Sequence, residues 1–118
     1  MTDERPTILI ADDDEAILEL LATILGDDYE ILQARDGDEA VQIHAKRKGV
    51  DLVLLDMSLG RMSGYDVLAS MQRDDPDLRV IVITGMDPDT ARLPNVRQII
   101  TKPFRVDQVR EVVAQELK

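Results

Sequence analysis

Two rhythms of hydrophobic and polar positions alternate along this chain: short apolar runs, and longer stretches with apolar residues three and four apart. The runs at Thr7 to Ala11, Tyr29 to Ala34, Asp51 to Leu55, Arg79 to Thr84 and Arg97 to Thr101 predict five strands. Helical spacing predicts a first helix from about Asp14 to Leu25, with Ile17, Leu20, Leu21 and Ile24 as its core stripe and Leu18 and Leu25 flanking it. Asp36 caps a second helix, with Glu39 three residues on in the manner of a capping box, and Gly49 ends it. His44 falls on that helix's polar face beside Lys46 and Arg47, which places it in solvent. A loop through Gly60 and Gly64 leads to a helix from about Tyr65 to Arg73. The last helix starts near Arg105 and carries Val106, Val109, Val112, Val113 and Leu117 on one face. Strands alternating with helices predict an α/β fold, a parallel sheet covered on both faces.

One interval breaks the rhythm. Between the fourth and fifth strands only Asp87 to Asn95 is available for a crossover helix. Asp87 suits the N-cap and Pro88 the first helical position, while Pro94 stops the helix within two turns. A short fourth helix is expected there.

Four strand ends carry chemistry. The first strand runs into Asp12 and Asp13, the third into Asp56, the fourth into Thr84 and the fifth into Lys102. Open α/β sheets bind ligands in the crevice at the carboxyl ends of their strands, so these side chains converge. Three carboxylates there repel one another unless a divalent cation neutralises them. Mg²⁺ suits such a cluster because it takes few carboxylates, several waters and phosphate oxygens. The set reads as a phosphoryl-transfer site with Mg²⁺ or Mn²⁺, and with Asp56 as the acceptor. Asp14, next in line, has the simpler task of capping the first helix, with Glu15 favoured by the helix dipole.

Composition narrows the field. The length, 118 residues, predicts one domain over residues 1–118. With no cysteine, thiol chemistry and cysteine-ligated zinc are excluded. No apolar run is long enough to span a bilayer, and Met1-Thr2-Asp3-Glu4-Arg5 is no signal peptide, so a cytoplasmic protein is expected. A net charge of −10 argues against direct binding to nucleic acid.

Taken in order, the acidic pair Asp12 and Asp13, Asp56 with Gly64 eight residues on, Thr84, and Lys102-Pro103 followed by Phe104 resemble the receiver domains of bacterial two-component response regulators. The resemblance covers essentially the whole chain. It implies a flavodoxin-like doubly wound sheet of five parallel strands in the order 2-1-3-4-5. It implies Asp13, Asp56 and the backbone carbonyl of Ser58 as direct Mg²⁺ ligands, with Asp12 bonded through water. Asp56 would then take a phosphoryl group from a histidine kinase or a histidine phosphotransfer protein, aided by Thr84 and Lys102. The modified domain would switch binding to a downstream protein or an attached output domain, without turning over an external substrate. A cis Lys102-Pro103 bond is implied too. Two positions depart from the family pattern: Gly60 stands where a proline is usual, and Ile99 where an aromatic residue often swings on activation.

A haloacid-dehalogenase-type phosphatase is the competing enzyme reading, with Asp12 as nucleophile. It leaves Asp56 unemployed and lacks an acidic pair after Lys102. An FMN-binding flavodoxin would need a phosphate-cradling loop after the first strand, where this chain is acidic.

Overall fold

The computed structural model describes residues 4–85 and 93–117. Its elements in chain order are β1 (Thr7–Ala11), α1 (Glu15–Leu25), β2 (Glu30–Ala34), α2 (Gly37–Lys46), β3 (Leu52–Asp56), α3 (Gly64–Asp74), β4 (Val80–Thr84), β5 (Val96–Thr101) and α4 (Val106–Glu116). The five strands form one parallel sheet in the order β2-β1-β3-β4-β5. That is the expected doubly wound α/β arrangement. The short helix expected between β4 and β5 falls largely on residues 86–92, outside the described residues.

The strands β1, β3 and β4 are buried along their full length, as their unbroken apolar character requires of strands covered on both faces. Side chains alternate across the sheet. Ile8, Ile10, Leu52, Leu54, Ile81 and Ile83 meet α1 and α4, whereas Leu9, Ala11, Val53, Leu55, Val80 and Val82 meet α2 and α3. Each large aliphatic side chain so buried contributes about 1.5–3 kcal/mol.

Helix starts follow local chemistry. Asp14 accepts from the N–H groups of Ala16 and Ile17, Asp36 from Glu39, and Ser63 from Asp66, each satisfying donors that have no partner within the helix. Glu39 does reach back, but to the N–H of Arg35, one residue before the cap. α2 stops at Lys46, three residues before Gly49.

The sheet meets α1 on a different line from the expected one. Leu18, Leu21, Ile24 and Leu25 are buried; Ile17 is half-buried and Leu20 is 41% exposed. The apolar arc of α1 is wide enough for either line; Leu18 lies on the β2 side, where its carbonyl accepts from Gln33, and Leu20 is left at the open edge beside Phe104. In α4, Val109 and Val113 enter the core, Val112 and Leu117 lie at its margin, and Val106 is exposed.

His44 also departs from the expectation: it is buried, not solvated. Gly37, Ala40 and His44 lie on one face of α2 and are its buried residues. The small residues let α3 approach closely, and the histidine lies along the same line.

Candidate functional site

The carboxyl ends of β1, β3, β4 and β5 bring the predicted residues to one sheet edge. Asp12 follows β1, Asp56 ends β3, Thr84 ends β4 and Lys102 follows β5. Asp12, Asp56 and Thr84 are all buried, which short polar side chains at the ends of buried strands cannot escape. Asp13 is exposed at the rim.

Asp12, Asp13 and Asp56 each offer a carboxylate oxygen within 4.8 Å of the others. Lys102 crosses to them: its Nζ lies 3.1 Å from Asp12 Oδ2 and 3.2 Å from Asp56 Oδ2. The Lys102-Pro103 bond is cis, as the resemblance implied. The Lys102 N–H donates to the Thr84 carbonyl at 2.9 Å, which extends the β4–β5 pairing up to the lysine.

The remaining carboxylate oxygens organise the loops. Asp12 Oδ1 accepts from the Asp14 N–H at 2.9 Å, and Asp56 Oδ1 from the Ser58 N–H at 3.0 Å. Both are two-residue Asx turns, in which a strand-end aspartate folds the following loop over itself. Gly60 sits in the β3–α3 loop at φ +74°, a left-handed conformation that a proline ring cannot adopt. The family's usual proline is therefore incompatible with this loop as it is folded here.

Electrostatics strain the site. Burial raises the pKa of Asp12, and the neighbouring Asp56 carboxylate adds to it, outweighing the Asp14 N–H and the Lys102 ammonium. Burial works against the charge of Lys102, yet its bonds to Asp12 and Asp56 prevail and its pKa is raised. One ammonium against three carboxylates leaves the cluster with an excess of negative charge. A hard divalent cation with oxygen ligands fits that excess, so the residues suit the metal the sequence implied.

Two cations at this edge went unmarked in the sequence. Arg35 and Arg61 border a cavity of about 290 Å³ that Asp13 also lines. Arg35 directly follows β2 and pairs with Glu15, so its place at the end of a strand was the available signal. Arg61 lies in a loop, where periodicity says nothing.

The response regulator receiver domain family model matches residues 8–114. The chain belongs to the response regulator receiver domain family. Among curated relatives, the receiver is 34% identical over 116 residues to the sporulation initiation phosphotransferase F of Bacillus subtilis, covering 93% of this chain and 92% of that one. It is 32% identical over 108 residues to the probable transcriptional regulatory protein TcrX of Mycobacterium tuberculosis, covering 87% of this chain and 46% of that protein. The receiver thus spans about half the length of TcrX. Among solved structures it resembles the response regulator TrrA of Thermotoga maritima, determined in complex with Mg²⁺ and BeF, at a TM-score of 0.83 and 29% identity over 94% of this chain and 98% of that one.

Receivers of this family are the phosphoacceptor domains of two-component systems, and generally signal rather than turn over a substrate. That membership sets aside the phosphatase reading. No helix among the described residues is long and apolar enough to cross a membrane.

Proposed function

We propose that Asp56 is the phosphoacceptor of this receiver, and that Asp13, Asp56 and the Ser58 carbonyl hold a Mg²⁺ ion, with Asp12 bonded to it through water. The observation that carries this reading is the buried Asp56 carboxylate, in reach of Lys102 and clustered with two further carboxylates. Mn²⁺ is the other ion such an oxygen site takes. When bound, the ion supplies positive charge for the oxygens of the transferring phosphoryl group.

An Asp56 carboxylate oxygen attacks phosphorus in line with the leaving group. The phosphorus–nitrogen bond of a phosphohistidine breaks, its electron pair returns to the imidazole, and an acyl phosphate remains on Asp56. Lys102 stays charged at the site and stabilises negative charge that builds on the phosphoryl oxygens, while Thr84 supplies a hydroxyl donor from the neighbouring strand end. Attack of water on the acyl phosphate returns the carboxylate and inorganic phosphate. The domain's own residues thus promote both its phosphorylation and its dephosphorylation.

The donor is a sensor histidine kinase or a histidine phosphotransfer protein in the cytoplasm, and residues 1–118 form one receiver domain. A docking face lies beside Lys102. Ile17 and Leu20 of α1 join Pro103 and Phe104 around an open apolar hollow of about 420 Å³, next to the attacking group's side of the molecule. A helix carrying a phosphohistidine can lay its apolar face there. Phosphorylation then alters what the surface offers to a downstream protein or an attached output domain.

The test is labelling with acetyl phosphate or phosphoramidate in the presence of Mg²⁺, read by intact mass and site mapping. Wild-type protein gains one acid-labile phosphoryl group on Asp56, and Asp56→Asn or chelation abolishes it. Acid-labile phosphate that persists on Asp56→Asn, or that maps to Asp12, overturns the assignment.

A further inference from the structure

At the other end of the domain, the only histidine of the chain is buried between α2 and α3, where the phosphoryl chemistry makes no use of it. Its Nδ1 is buried without a hydrogen-bond partner. Its Nε2 lies 3.9 Å from Oδ2 of Asp75, the residue that caps the C-terminus of α3. That separation is too long for a hydrogen bond, and a shift of roughly 1 Å would make one.

We infer that His44 and Asp75 form a proton-switched clamp between α2 and α3. Imidazole is the side chain whose charge ordinarily changes between about pH 5 and 8. With the ring neutral, the two groups are a loose polar contact. A proton taken from solvent makes the ring an imidazolium, and Nε2–H can then donate a charge-assisted bond to the Asp75 carboxylate. The surroundings pull both ways. Asp74 lines the same cavity of about 130 Å³, and His44 stands in the last turn of α2, at the negative end of the helix dipole, both favouring positive charge. Arg47 and Lys48 line it too and oppose that charge, although Arg47 is engaged by Glu30 of β2.

The clamp bears on the α2–α3 contact as a whole. At the opposite end of that contact, Gly37 of α2 packs against Met62 and Val67, and Met62 borders the same cavity as Asp13. Acidification therefore tightens the α2–α3 pair at the end remote from the phosphorylation loops.

A double-mutant cycle on the isolated domain tests this, with Asp75→Asn and His44→Gln unfolded by urea at pH 5.5 and pH 8. The cycle cancels the titration of the many other carboxylates. Asp75→Asn is expected to lower the folding equilibrium constant roughly threefold more at pH 5.5 than at pH 8, and to lose that excess when residue 44 is Gln. A second reading survives even if His44→Gln does not fold. With a single histidine, the ring's NMR resonances report its protonation directly, and in Asp75→Asn their titration moves to lower pH. Equal coupling at both pH values, or ring resonances indifferent to Asp75→Asn, would falsify the clamp.

Discussion

Gly64 approaches Met57 so closely that a Cβ on the glycine would fall 2.5 Å from Met57 Cα. The Gly64 N–H donates to the Met57 carbonyl at 3.1 Å, which closes the β3–α3 loop directly behind Asp56. The glycine eight residues after the acceptor is thus a steric requirement of the loop that holds Ser58.

Because the colliding atom is backbone, Gly64→Ala cannot be relieved by a rotamer change. The loop must open, at a cost of about 1–3 kcal/mol, and Ser58 must move with it. Thermal unfolding should show the loss, and labelling of Asp56 by acetyl phosphate should slow. Unchanged stability together with unchanged labelling would contradict the close approach.

Lys102→Ala separates the lysine's two effects. The ammonium repels a divalent cation that shares Asp12 and Asp56 with it, so removing it should leave Mg²⁺ binding intact or slightly tighter. The same ammonium stabilises charge in the transition state, and its loss should slow phosphorylation by about 10²-fold. Mg²⁺ titration followed by amide resonances, beside a labelling time course, measures both. Loss of metal binding in this variant would place Lys102 in a purely architectural role.

Asp12 gives the metal site a pH dependence with a definite sign. Its folded pKa is raised by burial and by Asp56, so the proton is held to higher pH than on an ordinary aspartate. A proton on Asp12 competes with the cation, so Mg²⁺ affinity should begin to fall at higher pH than an unperturbed carboxylate would allow. For a carboxyl raised in this way, the stabilising contribution is present at low pH and lost as pH rises through the folded value. Asp12→Asn should therefore stabilise the metal-free domain at neutral pH, and weaken Mg²⁺ binding. Urea unfolding in chelator, with and without the substitution, checks the sign; destabilisation by Asp12→Asn under those conditions would reverse the reading.

The strands and the gathering of Asp12, Asp13, Asp56, Thr84 and Lys102 were legible because a strand's end and the residue after it can be read directly from an apolar run; the order of the strands followed only from the resemblance to receiver domains. Helix faces were less so. In α1 six apolar residues span an arc wider than the sheet covers, and spacing alone does not say which edge of that arc is covered: Leu18 is buried and Leu20 exposed. His44 was misplaced for a related reason. Its neighbours Lys46 and Arg47 are charged, but the line through Gly37 and Ala40 that buries it consists of residues too small to register as an apolar stripe. Arg61 reaches the site's margin through loop geometry that no periodicity encodes.

The exposed part of the α1 arc supplies the last prediction. Leu20 is 41% exposed although it belongs to the same apolar arc as the core, and with Ile17, Pro103 and Phe104 it surrounds the hollow beside Lys102. A large apolar side chain left in water contributes little to folding, so Leu20→Arg should change stability by no more than about 0.5 kcal/mol. The same substitution would set a charge against the apolar face of a docking helix, an unpaired group that association must desolvate. Phosphotransfer from a protein donor should therefore fall by at least about tenfold, the change that 1.4 kcal/mol produces. Labelling by acetyl phosphate, which needs no docked helix, should proceed as in the wild type. The two donors compared on one variant separate docking from chemistry. Equal loss with both would mean that Leu20 supports the site itself, and no loss with either would place the docking face elsewhere on the domain.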